Sequence, residues 1–248
     1  MIRPKPTAEV DSMGFRLRGK EMTRLETFVD AAFAFVVTLL ALSQEEIPAS
    51  YADLIELMKN TPAFLASFAI LTLFWLDNVR FSQRFGLEDK TTVWLSVLLV
   101  AILLLYVYPL RFMATVGFAY FIPPLRPPDE TWKSAITEPR EMSRLFVIYA
   151  IGFAAVTGTA ALLYLNAVRQ RVALGLSDRE VYIAKAEAGS SLIYIGLCCV
   201  SIVLALTLVG SIWMMTAGFV YALLGVFVPV YWVQVERRWR RTRGEGAG

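Results

Sequence analysis

The sequence of 248 residues contains no histidine and only two cysteines. Without histidine, the chain cannot build His-based catalytic triads, histidine metal sites or imidazole pH sensors. Cys198 and Cys199 are adjacent in an apolar run, so they are poor disulfide partners and too few for a zinc site. We expect both to be small buried apolar residues. A metal centre is therefore not predicted.

Charged residues are also scarce, at 18% of the chain, whereas 57% are hydrophobic and the mean hydropathy is +0.56. Because the apolar residues lie in long runs, a soluble globular enzyme is not expected and a disordered chain is excluded. About 20 apolar residues are needed to cross a bilayer as a helix. The sequence thus predicts an all-α integral membrane protein with six transmembrane helices: Thr23–Ser43, Thr61–Asn78, Thr91–Met113, Ser143–Leu165, Ser190–Gly210 and Ser211–Gln234.

The distribution of Lys and Arg predicts the orientation. Eighteen of them lie in the N-terminus, the second loop, the fourth loop and the C-terminal tail, but only four lie in the first and third loops. Cytoplasmic segments carry such an excess, so we expect both termini to be cytoplasmic, as an even number of spans also requires.

Three segments follow from this topology: a basic cytoplasmic N-terminus at 1–22, a six-helix channel domain at 23–234 and a basic cytoplasmic tail at 235–248. The tail, Arg237-Arg238-Trp239-Arg240-Arg241-Thr242-Arg243, could bind nucleic acid. Beside an apolar span, retention on the cytoplasmic side explains it better, so no nucleic-acid partner is predicted. The proline-rich stretch from about 115 to 142 is typical of an irregular loop.

The first span is unlike the others because it holds a carboxylate, Asp30, which is expensive in a membrane and normally faces protein or water. We expect this charge, together with Arg24 and Glu26, to find partners on other helices. From Asp30 onward, one helical stripe consists of Ala31, Phe35, Thr38 and Leu42. The stripe fits an ordinary helix–helix seam. It also fits a pore-lining face, in which Phe35 and Leu42 are apolar constrictions and Thr38 is a polar ring.

The start of this span resembles the endosomal/lysosomal potassium channels known as the transmembrane protein 175 family. The motif is Arg24-x-x-x-Phe28-x-Asp30, with Val29 where the family has serine, in a span that ends Thr-Leu-Leu. Prokaryotic members of the family are six-span chains of this size. Further features that resemble the family are spread along the second and third spans: Ser67-Phe68, Trp75 and Tyr108-Pro109.

The resemblance implies a homotetramer in which the first helix of each subunit lines a central pore. It implies that Phe35, where the family has a bulky aliphatic residue, forms the hydrophobic constriction, and that Leu42 forms a second apolar layer. Thr38 matches the hydroxyl layer that favours potassium over sodium. The motif residues Arg24, Phe28 and Asp30 are then expected to brace the first helix rather than to touch the ion.

We therefore expect a passive, modestly selective potassium channel, with potassium as the permeant ion and no cofactor, in contact with membrane lipids in a prokaryotic plasma (inner) membrane. There is no Thr-Val-Gly-Tyr-Gly filter loop and no voltage-sensing arginine helix. Two alternatives remain open, a secondary transporter and a non-conducting membrane scaffold with the same fold. An enzyme is not predicted, since the spans carry neither a cluster of carboxylates nor a Ser–Lys pair.

Overall fold

The computed structural model describes residues 9–11, 13–19, 22–43, 48–122, 138–211 and 213–242. This part of the chain is helical apart from short connections and one isolated β-bridge between Val10 and Arg16. Six helical segments are long and apolar enough to cross a membrane, which confirms the predicted all-α architecture with six candidate spans. The helices are α1 (Arg24–Leu42), α2 (Tyr51–Phe85), α3 (Lys90–Phe121), α4 (Pro139–Arg169), α5 (Asp178–Thr207), α6 (Thr216–Phe219) and, after a 3-10 turn (Val220–Leu223), α7 (Leu224–Thr242).

Several helices are longer than the sequence predicts. The helix α2 begins at Tyr51 rather than Thr61, and α5 begins at Asp178 rather than Ser190. Apolar runs reveal only the portion inside the hydrocarbon core, about 30 Å, whereas a helix of 35 residues is about 50 Å long. The polar first turns are stabilised instead by capping boxes at Ser50 and Ser177.

The sixth span also differs from its prediction of Ser211–Gln234. The expected tight turn is present, with Gly210 in a left-handed conformation (φ +77°) and the Ser211 N–H donating to the Leu208 carbonyl at 2.9 Å. Regular helix starts only at Thr216, passes through the 3-10 turn at Val220–Leu223 and resumes as α7, which runs through the basic stretch to Thr242. The proline-rich part of the predicted third loop, residues 123–137, lies outside the described residues.

Packing is organised around α3 and α4, with α4 lying along both α3 and α5, and α1 packing against α2 and α3. The close approach of α3 to α4 depends on Gly152, because a Cβ there would collide with the buried Tyr106 ring. Of the two cysteines, Cys198 is buried as expected. Cys199 is exposed, so the expectation of burial was wrong for it, because it points away from the helix face that packs.

An N-terminal strap, consisting of Asp11 and residues 13–19, closes one end of the bundle. The backbone N–H groups of Arg18 and Gly19 donate to the Gln83 carbonyl at the end of α2, at 2.9 and 3.0 Å. The buried Arg18 guanidinium binds both carboxylate oxygens of Glu180 on α5, at 3.0 and 2.9 Å, and also the Leu174 carbonyl. Within the described part of the N-terminal segment, this strap is thus packed against the helices.

A second buried arginine continues this network. Arg84 at the end of α2 contacts Asp11 at 2.8 Å and Glu187 on α5 at 2.9 Å. Its guanidinium lies 5.2 Å from the centre of the fully buried Phe15 ring. Burial disfavours the charged Asp11 carboxyl, but the Phe15 N–H and Arg84 outweigh that effect, so the pKa of Asp11 lies below its ordinary value. The strap therefore ties α2 to α5 through charges that are all paired.

The variant Arg18→Gln should destabilise the protein by about 3–5 kcal/mol, because the Glu180 carboxylate would stay buried without its guanidinium. Thermal unfolding of the detergent-solubilised protein, followed by intrinsic tryptophan fluorescence, measures the loss. Arg16→Gln is the matched control, since the Arg16 side chain is exposed. Equal melting of Arg18→Gln and wild type would contradict the role of the pair.

Candidate pore-lining face

The first helix starts at a complete capping box. The Glu26 N–H donates to Thr23 Oγ1 at 3.1 Å, and the Thr23 N–H donates to Glu26 Oε2 at 2.8 Å. The expectation that Glu26 pairs with another helix was therefore wrong, because its carboxylate satisfies the free backbone donor at its own helix start. Since Glu26 is used in the cap, Asp30 is the acidic residue of α1 that is left for contact with another helix.

Two opposite faces divide α1. The side chains of Val29, Phe33, Val36 and Leu40 are buried against α2 and α3. On the other side, Phe35 is 56% exposed and Leu42 is 73% exposed, and Ala31 and Thr38 are exposed with them. All four residues of the predicted stripe thus lie together on the side of α1 that the rest of the described chain leaves uncovered.

The hydroxyl of Thr38 is oriented by its own helix. Its Oγ1 donates to the Ala34 carbonyl at 2.9 Å. A hydroxyl has one proton to donate and two lone pairs, so this bond leaves the lone pairs of Oγ1 free to accept or to coordinate. Thr38 is exposed on the uncovered face of α1.

The three motif residues occupy different positions on α1. Asp30 accepts a hydrogen bond from the indole Nε1 of Trp75 on α2 at 2.9 Å, which confirms that its partner lies on another helix. Phe28 is 51% exposed, and Arg24 is exposed in the first turn. Asp30 therefore joins α1 to α2, whereas Arg24 and Phe28 point toward the uncovered side.

The C-terminal end of α1 is held by an arginine of α3 that was not among the predicted site residues. Arg111 on α3 is buried and donates from Nη1 to the Leu40 carbonyl at 3.3 Å and to Ser43 Oγ at 3.4 Å. Its guanidinium also lies 5.9 Å from the centre of the Phe64 ring. A cation at a helix C-terminus is favourable, because the last carbonyls carry partial negative charge. The sequence signal for this contact is a single arginine that follows Pro109 inside an apolar span.

Together, the fold and this face define a polytopic all-α membrane protein whose first helix is packed on one side and uncovered on the other. The comparisons with known proteins agree with that class. The family described as "Endosomal/lysosomal potassium channel TMEM175" matches residues 24–107. A potassium channel of Marivirga tractuosa is 32% identical over 199 residues, which cover 77% of this chain and 78% of the relative. The chain therefore belongs to the TMEM175 potassium channel family.

A solved structure shows the same architecture. The crystal structure of the T38A variant of the potassium channel MtTMEM175, in complex with a nanobody–MBP fusion protein, is 28% identical in sequence and has a TM-score of 0.79. The match covers 94% of this chain and 100% of that one. The chain is thus an integral membrane protein with the TMEM175 fold and bacterial homologues, and its family is one of channels, not of enzymes.

Proposed function

We propose that this protein is a homotetrameric, passive channel for monovalent cations that prefers potassium over sodium, in the plasma (inner) membrane of a prokaryote. In this proposal the uncovered face of α1 from each of four subunits lines the central pore. Phe35 and Leu42 form apolar constrictions, Thr38 contributes a ring of hydroxyls and Ala31 leaves room for the ion. The observation that carries the proposal is the exposure of these four side chains on one face, opposite the buried face of α1.

The composition of this face favours a pore over contact with lipid. Besides Thr38, the exposed side of α1 contains three alanines, Ala31, Ala34 and Ala41. Such small residues let helices of neighbouring subunits approach closely. On α3, the exposed side chains include the large apolar Trp94 and Leu105, as expected for a lipid-facing helix.

The proposed orientation has both termini in the cytoplasm, as the excess of Lys and Arg predicts. The buried ion pairs of Arg18 and Arg84 leave that argument intact, because it depends on the number of basic residues and not on net charge. In the tetramer, the exposed Arg24 and Phe28 would contact a neighbouring subunit, which would complete the bracing role of the motif.

The decisive experiment is a reversal potential measured on purified protein in liposomes across a potassium/sodium gradient. A potassium-biased current, together with a native mass of four subunits, supports the proposal. A flux that requires a coupling ion would favour a transporter instead. Absence of current from well-assembled tetramers would favour a plugged pore or a scaffold.

Asp30→Ala should mainly impair assembly, because it removes the acceptor that holds Trp75 and so loosens α1 on α2. A hydrogen bond to a charged group contributes about 1.5–3 kcal/mol, and the partial exposure of this one places it near the lower value. The fraction of tetramer after solubilisation, measured by native mass spectrometry, reports the loss. Trp75→Phe should reproduce it, and the double variant should add little. A stable tetramer with normal flux in Asp30→Ala would refute the bracing role.

A further inference from the structure

One row of outward-facing side chains on α7 changes from apolar to basic along the helix. Counting in steps of four, three, four and four, the row runs through Val226, Val230, Val233, Arg237 and Arg241, and all five side chains are exposed. At 100° per residue these positions stay within one face of the helix. A surface that begins as purely apolar thus becomes purely cationic within one turn.

The opposite side of α7 is anchored to α5, which determines where this row points. Tyr231 donates its hydroxyl to the Ala186 carbonyl at 2.9 Å, next to Gly189, where a Cβ would meet the same hydroxyl. One turn further, Tyr182 donates to the Val235 carbonyl at 3.0 Å, and its ring lies 5.1 Å from that of Trp239. Because three positions of α7 hold it against α5, the helix cannot rotate to hide the arginines.

The acidic residue of this region lies elsewhere on the helix. Glu236 pairs with Arg240 at 3.1 Å and lies 4.0 Å from Arg179. The Glu236 carboxylate is therefore paired with a basic residue that lies outside the row. The exposed part of the row after Val233 consists of the guanidinium groups of Arg237 and Arg241, whose planar donors match a phosphate in a bidentate manner.

We infer that Arg237 and Arg241 form a binding site for the headgroups of anionic phospholipids. The valines of a membrane span that face outward contact acyl chains, and a rise of 1.5 Å per residue puts Arg237 about 6 Å and Arg241 about 12 Å beyond Val233. The interfacial layer begins within that distance of the hydrocarbon. A lipid whose tails lie on the valines thus presents its phosphate to the arginines. The site does not depend on the proposed pore.

The test compares phosphatidylglycerol with phosphatidylcholine of the same acyl chains, each added to the full-length detergent-solubilised protein and counted by native mass spectrometry. Wild type should bind phosphatidylglycerol more tightly than phosphatidylcholine. In Arg237→Gln/Arg241→Gln the affinity for phosphatidylglycerol should fall by about tenfold or more, since each basic residue near a membrane surface contributes appreciably. Binding of phosphatidylcholine should not change, and the difference should shrink at high salt.

The matched control is Arg169→Gln/Arg171→Gln, which removes the same charge from exposed positions at the end of α4 and just after it. It should leave the preference for phosphatidylglycerol in place. Equal losses in both double variants would overturn the inference, since they would indicate a general charge effect. It would also be overturned by equal binding of the two lipids to wild type, or by tighter binding of a short DNA duplex than of phosphatidylglycerol. Size-exclusion profiles and helical circular dichroism confirm that the variants are folded.

Discussion

Phe35→Ala should raise the potassium conductance of single channels severalfold. Phe35 is 56% exposed on the uncovered face of α1, so in the proposed tetramer four phenyl rings meet at the axis. Rings of this kind narrow a pore sterically and favour its dewetting, and both effects oppose ion entry. Truncation to a methyl group removes the barrier at this level and leaves the layer at Leu42 as the next constriction. Planar-bilayer recordings of wild type and variant in symmetrical potassium measure the change.

The control for this variant is Leu105→Ala, which truncates an exposed apolar side chain on α3. It should leave conductance as in wild type, because α3 does not line the proposed pore. Phe35→Leu should raise the conductance less than Phe35→Ala does, because four leucine side chains at this level would still narrow the pore. If Phe35→Ala conducted equally or less well than wild type, the constriction would have to lie at another level. A current in Phe35→Ala but none in wild type would identify the phenyl ring as a plug.

Thr38→Ala should lower the preference for potassium over sodium and leave the tetramer intact. The Thr38 hydroxyl donates to the Ala34 carbonyl, so its oxygen keeps lone pairs that can replace part of the hydration shell of a passing ion. Thr38→Ala removes this hydroxyl oxygen from each subunit of the proposed tetramer without creating a cavity in the packed side of α1. The shift of reversal potential across a potassium/sodium gradient measures the change.

Two further substitutions separate the hydroxyl from the shape of the side chain. Thr38→Val keeps the shape and removes the hydroxyl, so it should behave as Thr38→Ala does. Thr38→Ser keeps the hydroxyl, so it should retain most of the selectivity. Unchanged reversal potentials in both Thr38→Ala and Thr38→Val would remove Thr38 from the selectivity filter and place ion discrimination at another level of the pore.

The candidate site was predictable from the sequence because it lies on a single helix. The stripe Ala31, Phe35, Thr38 and Leu42 depends only on helical periodicity, and the structure places all four side chains on one exposed face. Their proposed roles in conduction depend on an assembly of several subunits, which one chain does not determine. The contact of Glu26 was predicted wrongly. The prediction considered only the cost of a charge in a membrane, whereas Glu26 caps α1 because of the local geometry at Thr23.

The contacts that hold α1 in place could not be predicted in the same way. Trp75 lies 45 residues from Asp30, and Arg111 lies 71 residues from the Leu40 carbonyl that it binds. Periodicity indicates which face of a helix is buried, but it does not indicate which helix packs there or in which register. Each of these partners therefore became visible only when α2 and α3 were placed beside α1.

The sequence by itself determined that this is an integral membrane protein with six candidate spans. Hydropathy over about 20 residues is a local property, and the bilayer requires it of each helix separately. Only the tertiary structure decided that the strap at residues 13–19 buries Phe15 and Arg18 against the helices. Arg18 and Glu180 are 162 residues apart, and each is acceptable away from water only because the fold brings the other within 2.9 Å. Residues far apart in sequence acquire partners through packing, and packing is a property of the whole chain.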